Sequence, residues 1–237
     1  MAQFLRKDWD LDLRAELYKE EFYATEAWAK ARDAMVGPWD SSTTEELKHL
    51  HELKEKERPA HIGEIVSEQS GPVMIGLWYD LLKIGPTSHP LTTELLHATI
   101  YLAGSVAAYF KDRFNRVRPW VVAPDLFPPI PSPGLPAYPG GHATQMHLMA
   151  RTLGYLAADK TTEIIEIAEN VAANRERAGL NYPSDTEAGQ KLADRVFEIL
   201  MSQCAEFMWM LEKAKHTEWN PARRQDAEAL REAALRT

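Results

Sequence analysis

The sequence contains a single cysteine, Cys204, among 237 residues. That excludes an intramolecular disulfide framework and any cysteine-rich zinc site. Glycine is sparse, at 12 residues, and no extended run alternates apolar with polar, so strands are not expected. Positive charge is also short: 27 Lys and Arg stand against 35 Asp and Glu, a net charge of −8. This balance argues against a nucleic-acid binder and against a polybasic membrane-surface protein. Long apolar runs are missing too. The longest, Leu95 to Phe110, carries His97 and is short for a membrane span. The N-terminal MAQFLRKDWDLDLRAEL has no continuous apolar stretch and does not read as a secretory signal. A soluble, cytoplasmic protein is therefore expected. Apolar residues, by contrast, make up 45%, enough for a sizeable core and too much for a wholly disordered chain.

Helical periodicity recurs along the chain. It predicts a helix over Asp8 to Met35, closed by Gly37-Pro38. A capping box at Ser42-Thr43-Thr44-Glu45-Glu46 opens a charged helix ending before Pro59. Shorter helices are expected over Ala60 to Ser70 and Val73 to Lys83. A long one should span Thr92 to about Val117, limited by Pro119. Eight of the 15 prolines fall between Pro119 and Pro139, so this stretch is expected to be neither regular helix nor central strand. A loop of that length inside a domain is usually functional, and Trp120, Phe127 and Tyr138 favour a packed one. Helices should then cover His142 to Ala158, Thr162 to Ala178 and Ser184 to His216, with a terminal helix over Pro221 to Arg236. With a length suited to one domain, the expectation is an all-α, single-domain helical bundle over residues 1–237.

Charge on faces that should be buried is the informative feature. Lys111 lies beside the stripe Leu96, Thr99, Ala103, Ala107, Phe110 and Phe114. His142 sits at the N-terminal end of the stripe Met146, Met149, Leu153 and Leu156. Arg175 lies within the face Ile164, Ala168, Val171 and Ala178. Buried cations are costly alone, so Lys111 and Arg175 should meet something anionic: a structural carboxylate, or a ligand. Pro139-Gly140-Gly141 before His142 lets a backbone approach closely, and the helix that follows offers free N–H groups to an anion.

The same residues form three ordered motifs. Lys111-Asp-Arg-Phe-Asn-Arg-Val-Arg118-Pro119 is Lys, six residues, Arg-Pro. Pro139-Gly140-Gly141-His142 is similar to Pro-Ser-Gly-His. Asn174-Arg175-Glu-Arg-Ala-Gly-Leu-Asn181-Tyr-Pro-Ser-Asp185 is similar to Ser-Arg, five residues, His, three residues, Asp. In order and separation, the set resembles the type-2 phosphatidic acid phosphatase and vanadium haloperoxidase superfamily, firmly over Lys111 to Asp185 and loosely beyond. The resemblance implies a soluble helical protein like the bacterial acid phosphatases and haloperoxidases. It also implies that Lys111, Arg118 and Arg175 clamp the oxygens of phosphate or vanadate, with backbone donors from Gly140 and Gly141. His142, with a pKa near neutral, would protonate the leaving oxygen, and Asp185 would orient the second histidine. Hydrolysis of a phosphate ester, needing no cofactor, is the leading expectation. Vanadate-dependent halide oxidation is the runner-up.

Two departures from the family pattern matter. Gly140 replaces serine and removes one hydroxyl donor. Asn181 replaces the second histidine, the residue that forms phosphohistidine in phosphatases of the family and ligates vanadium in its haloperoxidases. An amide nitrogen, its lone pair delocalised, does neither well. Three readings of Asn181 follow: an engineered inactive form, a natural pseudoenzyme that binds phosphate-like anions, or a repurposed enzyme acting on an allylic diphosphate without a phosphohistidine. The expected partner in each is a small phosphorylated or oxyanion ligand.

A rival comes from another class. Glu46-Leu-Lys-His49 and Glu94-Leu-Leu-His97 are both Glu-x-x-His on predicted helices, the pattern of a di-iron bundle. His61 with Glu64 is weaker. Cys204, among Phe197, Leu200, Met201 and Met208, reads as buried and inert. The apolar segment Phe207 to Leu211 suits either core packing or a homo-oligomer face.

Overall fold

The computed structural model describes residues 9–35, 37 and 43–220, and among these every regular element is helical. The chain is an all-α bundle. In order the helices are α1 (Leu11–Tyr23), α2 (Glu26–Ala34), α3 (Thr43–Lys56), α4 (Arg58–Ser67), α5 (Gly71–Leu82) and α6 (Pro90–Phe114). They are followed by α7 (Pro119–Val122), α8 (Gly141–Leu156), α9 (Thr161–Arg177), α10 (Pro183–Gln203) and α11 (Ala205–Thr217). The expected helix over Pro221 to Arg236 and the Ser42 cap lie outside the described residues.

Helices α6 and α8 organise the packing because their apolar residues point in several directions, as in a helix enclosed on most sides. On one side Leu95, Leu102, Val106, Phe110 and Leu148 pack with Tyr18 and Phe22 of α1, Leu192 and Val196 of α10, and Phe207 and Leu211 of α11. On the other, Leu96, Ile100, Met146, Met149 and Leu153 meet Met74 and Trp78 of α5 and Ile164 and Val171 of α9. Buried threonines on these helices satisfy their hydroxyls on the preceding turn, Thr99 on the Leu95 carbonyl and Thr152 on the Leu148 carbonyl.

Two predicted helices are each broken in two. The Asp8–Met35 helix is interrupted at Ala24-Thr25, where the Thr25 hydroxyl accepts from the Trp28 amide and starts α2. A threonine able to cap competes with helix continuation there. The Ser184–His216 helix breaks at Cys204, which has extended backbone (φ −105°, ψ 91°) between α10 and α11. The Cys204 thiol is fully buried, and burial pushes its pKa up to about 12, which suits an inert role. Phe207, Met210 and Leu211 are buried, so the 207–211 segment mainly fills the core, while Trp209 stays exposed. The proline-rich stretch contains one α-helical turn, α7, and a 3-10 turn over Pro124–Leu126, contrary to expectation. Pro119 occupies the first position of α7, where the missing N–H costs nothing. No described helix is long and apolar enough to cross a membrane.

Candidate functional site

The three motifs converge because of how α6 ends. Lys111 lies in its last turn, and Asn115 takes a left-handed conformation (φ 47°), stopping the helix three residues before the expected limit. The chain turns there and presents Arg118 in extended backbone before α7. The loop returns to start α8 at Gly141, and α9 ends with Arg175 in its last turn. Lys111, Arg118, Gly141, His142, Arg175 and Asn181 line one cavity of about 190 Å³. Gly140 and Asp185 stand just behind it.

The three cations differ in how they are held. Lys111 Nζ donates to the carbonyls of Pro136 (2.8 Å), Ala137 (2.8 Å) and Pro139 (2.7 Å). Its partners are therefore neutral dipoles, not the anion expected from the sequence. Burial, with Arg118 and Arg175 nearby, pulls Lys111 down to about 7. The three carbonyls oppose this, because only an ammonium can donate to all of them. Arg118 fastens the loop, with Nε on the Leu135 carbonyl and Nη1 on the Leu180 carbonyl, both at 2.7 Å. Arg175 is the exception: it is 5% exposed, and its Nε and Nη1 are buried without a hydrogen-bond partner. Burial, then Arg118, lowers its pKa to about 10, so it keeps its charge at neutral pH.

His142 departs from the near-neutral pKa expected of it. Burial and the positive field of Arg175, Lys111 and Arg118 hold the imidazole down to about 3, so it is neutral across the physiological range. Its Nε2 lies 3.1 Å from the Glu68 carbonyl oxygen. That contact assigns the proton to Nε2 and leaves Nδ1 as the unprotonated nitrogen. The Glu68 carboxylate, which accepts from Asn174 at 2.9 Å, is buried and raised in pKa by that burial.

Behind the cavity, Asp185 is a fully buried hub. One carboxylate oxygen accepts from Arg116 Nη1 at 2.7 Å, and the other from the Tyr182 amide at 2.8 Å and from Asn181 Nδ2 at 3.3 Å. Burial raises its pKa, and Arg116 opposes that rise. Arg116 also pairs with Glu46 and covers the Tyr182 ring at 3.9 Å. Asn181 donates a further bond to the Ala137 carbonyl at 2.9 Å, so its amide is held between loop and hub.

The glycine departure has a steric cause. The Gly140 N–H donates to the Asp185 carbonyl at 2.7 Å, and a Cβ at Gly140 would lie 2.9 Å from that same oxygen. A Cβ at Gly189 would lie 2.5 Å from the Gly140 carbonyl. Helices α8 and α10 therefore meet backbone to backbone, as the glycine run suggested.

The carboxylates of the di-iron pattern are engaged separately. Glu46 is taken by Arg116 and the Ser184 amide, and Glu94 by Arg14 and the Tyr18 hydroxyl. His49 lies near Glu176, His97 bonds Asp12, and His61 bonds Glu64. Among the described residues no cluster of three or more His, Cys, Asp or Glu side chains could hold a metal. Arg116, Glu68 and Gln145 were not singled out from the sequence, and Glu46 only as part of the Glu-x-x-His pattern. Arg116 sits inside the first motif, but its direction depends on the left-handed turn at Asn115, which no periodicity reveals. No protein-family model matches the chain, and no curated protein matches it in sequence.

Proposed function

We propose that this protein binds a phosphate ester, or a closely related oxyanion, in the Lys111–Arg118–Arg175 cavity, in the manner of the phosphatase and haloperoxidase superfamily that its motifs resemble. The observation that carries the reading is Arg175. A buried guanidinium with two unpaired nitrogens is expensive unless a ligand completes it. A tetrahedral oxyanion supplies several acceptor oxygens for the donors of a guanidinium. Lys111 and Arg118 already spend donors on the loop, so they contribute mainly positive potential and a fixed cavity shape. The first amides of α8, at Gly141 and His142, add helix-terminal donors.

His142 then follows from electrostatics. With the cavity empty of negative charge, the cations keep it neutral. A dianion would cancel that field and raise the imidazole pKa, so Nδ1 takes up a proton as the anion binds. The proton would then be available to a leaving oxygen. Asn181 fills the position of the nucleophile with a held amide, so covalent phosphoryl transfer is impaired in this form. Binding, with any hydrolysis slow and direct, is the activity proposed.

Thermal unfolding with phosphate, vanadate or sulfate tests this. A ligand specific to the folded state at a hundred times its Kd stabilises by about 2.7 kcal/mol. Arg175→Ala should remove most of the shift while the variant stays folded. An unchanged shift would take Arg175 out of the site, and no shift with the unaltered protein would end the proposal.

A further inference from the structure

A second cavity, of about 270 Å³, adjoins the first and is lined by Asp12, Gly71, Pro72, Ile75, His97, Ile100, Tyr101 and Gln145. Gln145 lines both cavities. The wall they share is one face of α6: His97, Ile100 and Tyr101 border the outer cavity, and Gly104, Ala107, Ala108 and Lys111 border the inner one. These are steps of three and four residues, so the face is continuous along the helix. Gln145 crosses it at Gly104. Its Nε2 donates to the Ile100 carbonyl at 3.2 Å, and a Cβ at Gly104 would lie 3.1 Å from that nitrogen. Gln145, which borders both cavities, is thus a flexible side chain held by one long hydrogen bond to a carbonyl on α6.

The two cavities differ in their charged residues. Lys111, Arg118 and Arg175 line the inner one. Asp12 is the one carboxylate or cation among the residues of the outer one, where it accepts from Tyr101 and bonds His97 Nδ1 at 3.1 Å. Ile75, Ile100 and Pro72 supply an apolar surface. His142, the candidate acid, lies one turn before Gln145 on the same face of α8, and both line the inner cavity.

We infer that the outer cavity is the subsite for the alcohol portion of the ester, that Gln145 is the movable partition between the subsites, and that the preferred alcohol carries an ammonium group and not a second anion. This rests on the anion-site reading above. The phosphoryl group would sit among the three cations, the chain would pass Gln145, and the ammonium would meet Asp12 beside the Tyr101 ring.

The test is equilibrium binding by calorimetry of inorganic phosphate and of paired alkyl phosphates of increasing chain length, ending in an amine or in a carboxylate. All should bind the unaltered protein. Beyond a threshold length the amine should bind roughly five-fold more tightly than the carboxylate, the scale of one partly exposed ion pair. Asp12→Asn should abolish that preference and leave phosphate affinity unchanged. Gln145→Ala should tighten both long esters relative to phosphate measured on the same variant. Equal affinities for the two series, or a preference that survives Asp12→Asn, would overturn the subsite while leaving the anion site standing. Failure of phosphate itself to bind would overturn both.

Discussion

The Gly140 amide and the Asp185 carbonyl meet at 2.7 Å, which ties the turn that begins α8 to the first turn of α10. This contact places Gly141 and His142 on one side of the cavity and Asn181 on another, and it leaves no room for a side chain. Gly140→Ser would restore the residue usual in the related motif, yet its Cβ would collide with a backbone oxygen that cannot swing away. The expected outcome is destabilisation of about 1–3 kcal/mol, the usual cost of overpacking, measured by urea unfolding. Gly189→Ala should cost a similar amount from the opposite side of the same contact. Wild-type stability in both variants would show that the two helices can part.

Arg175 sets function against stability. Its burial, its unpaired Nε and Nη1 and the nearby Arg118, only partly offset by the Glu68 carboxylate, make it a liability in the unliganded protein. Arg175→Met fills the volume without the charge. Unliganded stability should rise by about 1 kcal/mol, and the phosphate-induced shift should vanish. A variant less stable than the parent would instead mark Arg175 as a structural residue.

His142 and Lys111 both have folded-state pKa values below their unfolded ones, about 3 against 6.5 and about 7 against 10.5. In each window the unfolded chain binds more protons, so stability falls as pH falls. The Lys111 loss runs from 10.5 down to 7, and the His142 loss from 6.5 down to 3. Unfolding free energy followed over pH should show the acid limb, and His142→Gln should flatten it. Phosphate binding should reverse the sign at the site, with proton uptake near neutral pH that is visible as buffer-dependent calorimetric heat. Proton release on binding would contradict the proposed coupling.

Much of this site was legible in the chain because charge on an apolar helical stripe is costly and therefore informative. Lys111, His142 and Arg175 were found that way and do line one cavity. The partners of Lys111 were not legible: three carbonyls of a proline-rich loop leave no trace in side-chain pattern. Asp185 was expected to orient residue 181, and it does bond Asn181, but its principal partner Arg116 depends on a single left-handed residue. Helix existence followed periodicity. The breaks at Thr25 and Cys204 did not, because the apolar pattern runs straight through them while local capping and packing redirect the backbone. Gln145 escaped notice because an amide on a helix face has no signature until a glycine on the neighbouring helix is seen beneath it.

Asn181→His tests what the amide has replaced. Asn181 Nδ2 points toward the Ala137 carbonyl and the Asp185 carboxylate. An imidazole placed there can use Nδ1–H for the same acceptors, which leaves Nε2 unprotonated and farther out along the side chain, in the cavity that Asn181 lines. Asp185 would hold that tautomer and raise its basicity. Under the proposed function Arg175, Lys111 and Arg118 would neutralise the incoming phosphoryl group, so the substitution would add only the nucleophile. Covalent catalysis splits one hard hydrolysis into two easier steps, and the gain should appear in kcat more than in KM. Hydrolysis of an activated aryl phosphate should rise by at least ~100-fold, the scale of one essential catalytic group. The same variant with vanadate, peroxide and bromide separates the two proposed activities: halide oxidation without phosphatase activity favours the haloperoxidase reading, and the converse favours the phosphatase reading. A folded, phosphate-binding variant that gains neither activity would refute the lost-nucleophile account. The natural chemistry would then be sought with the unaltered chain and prenyl diphosphates, where a cationic clamp and an acid suffice to release diphosphate.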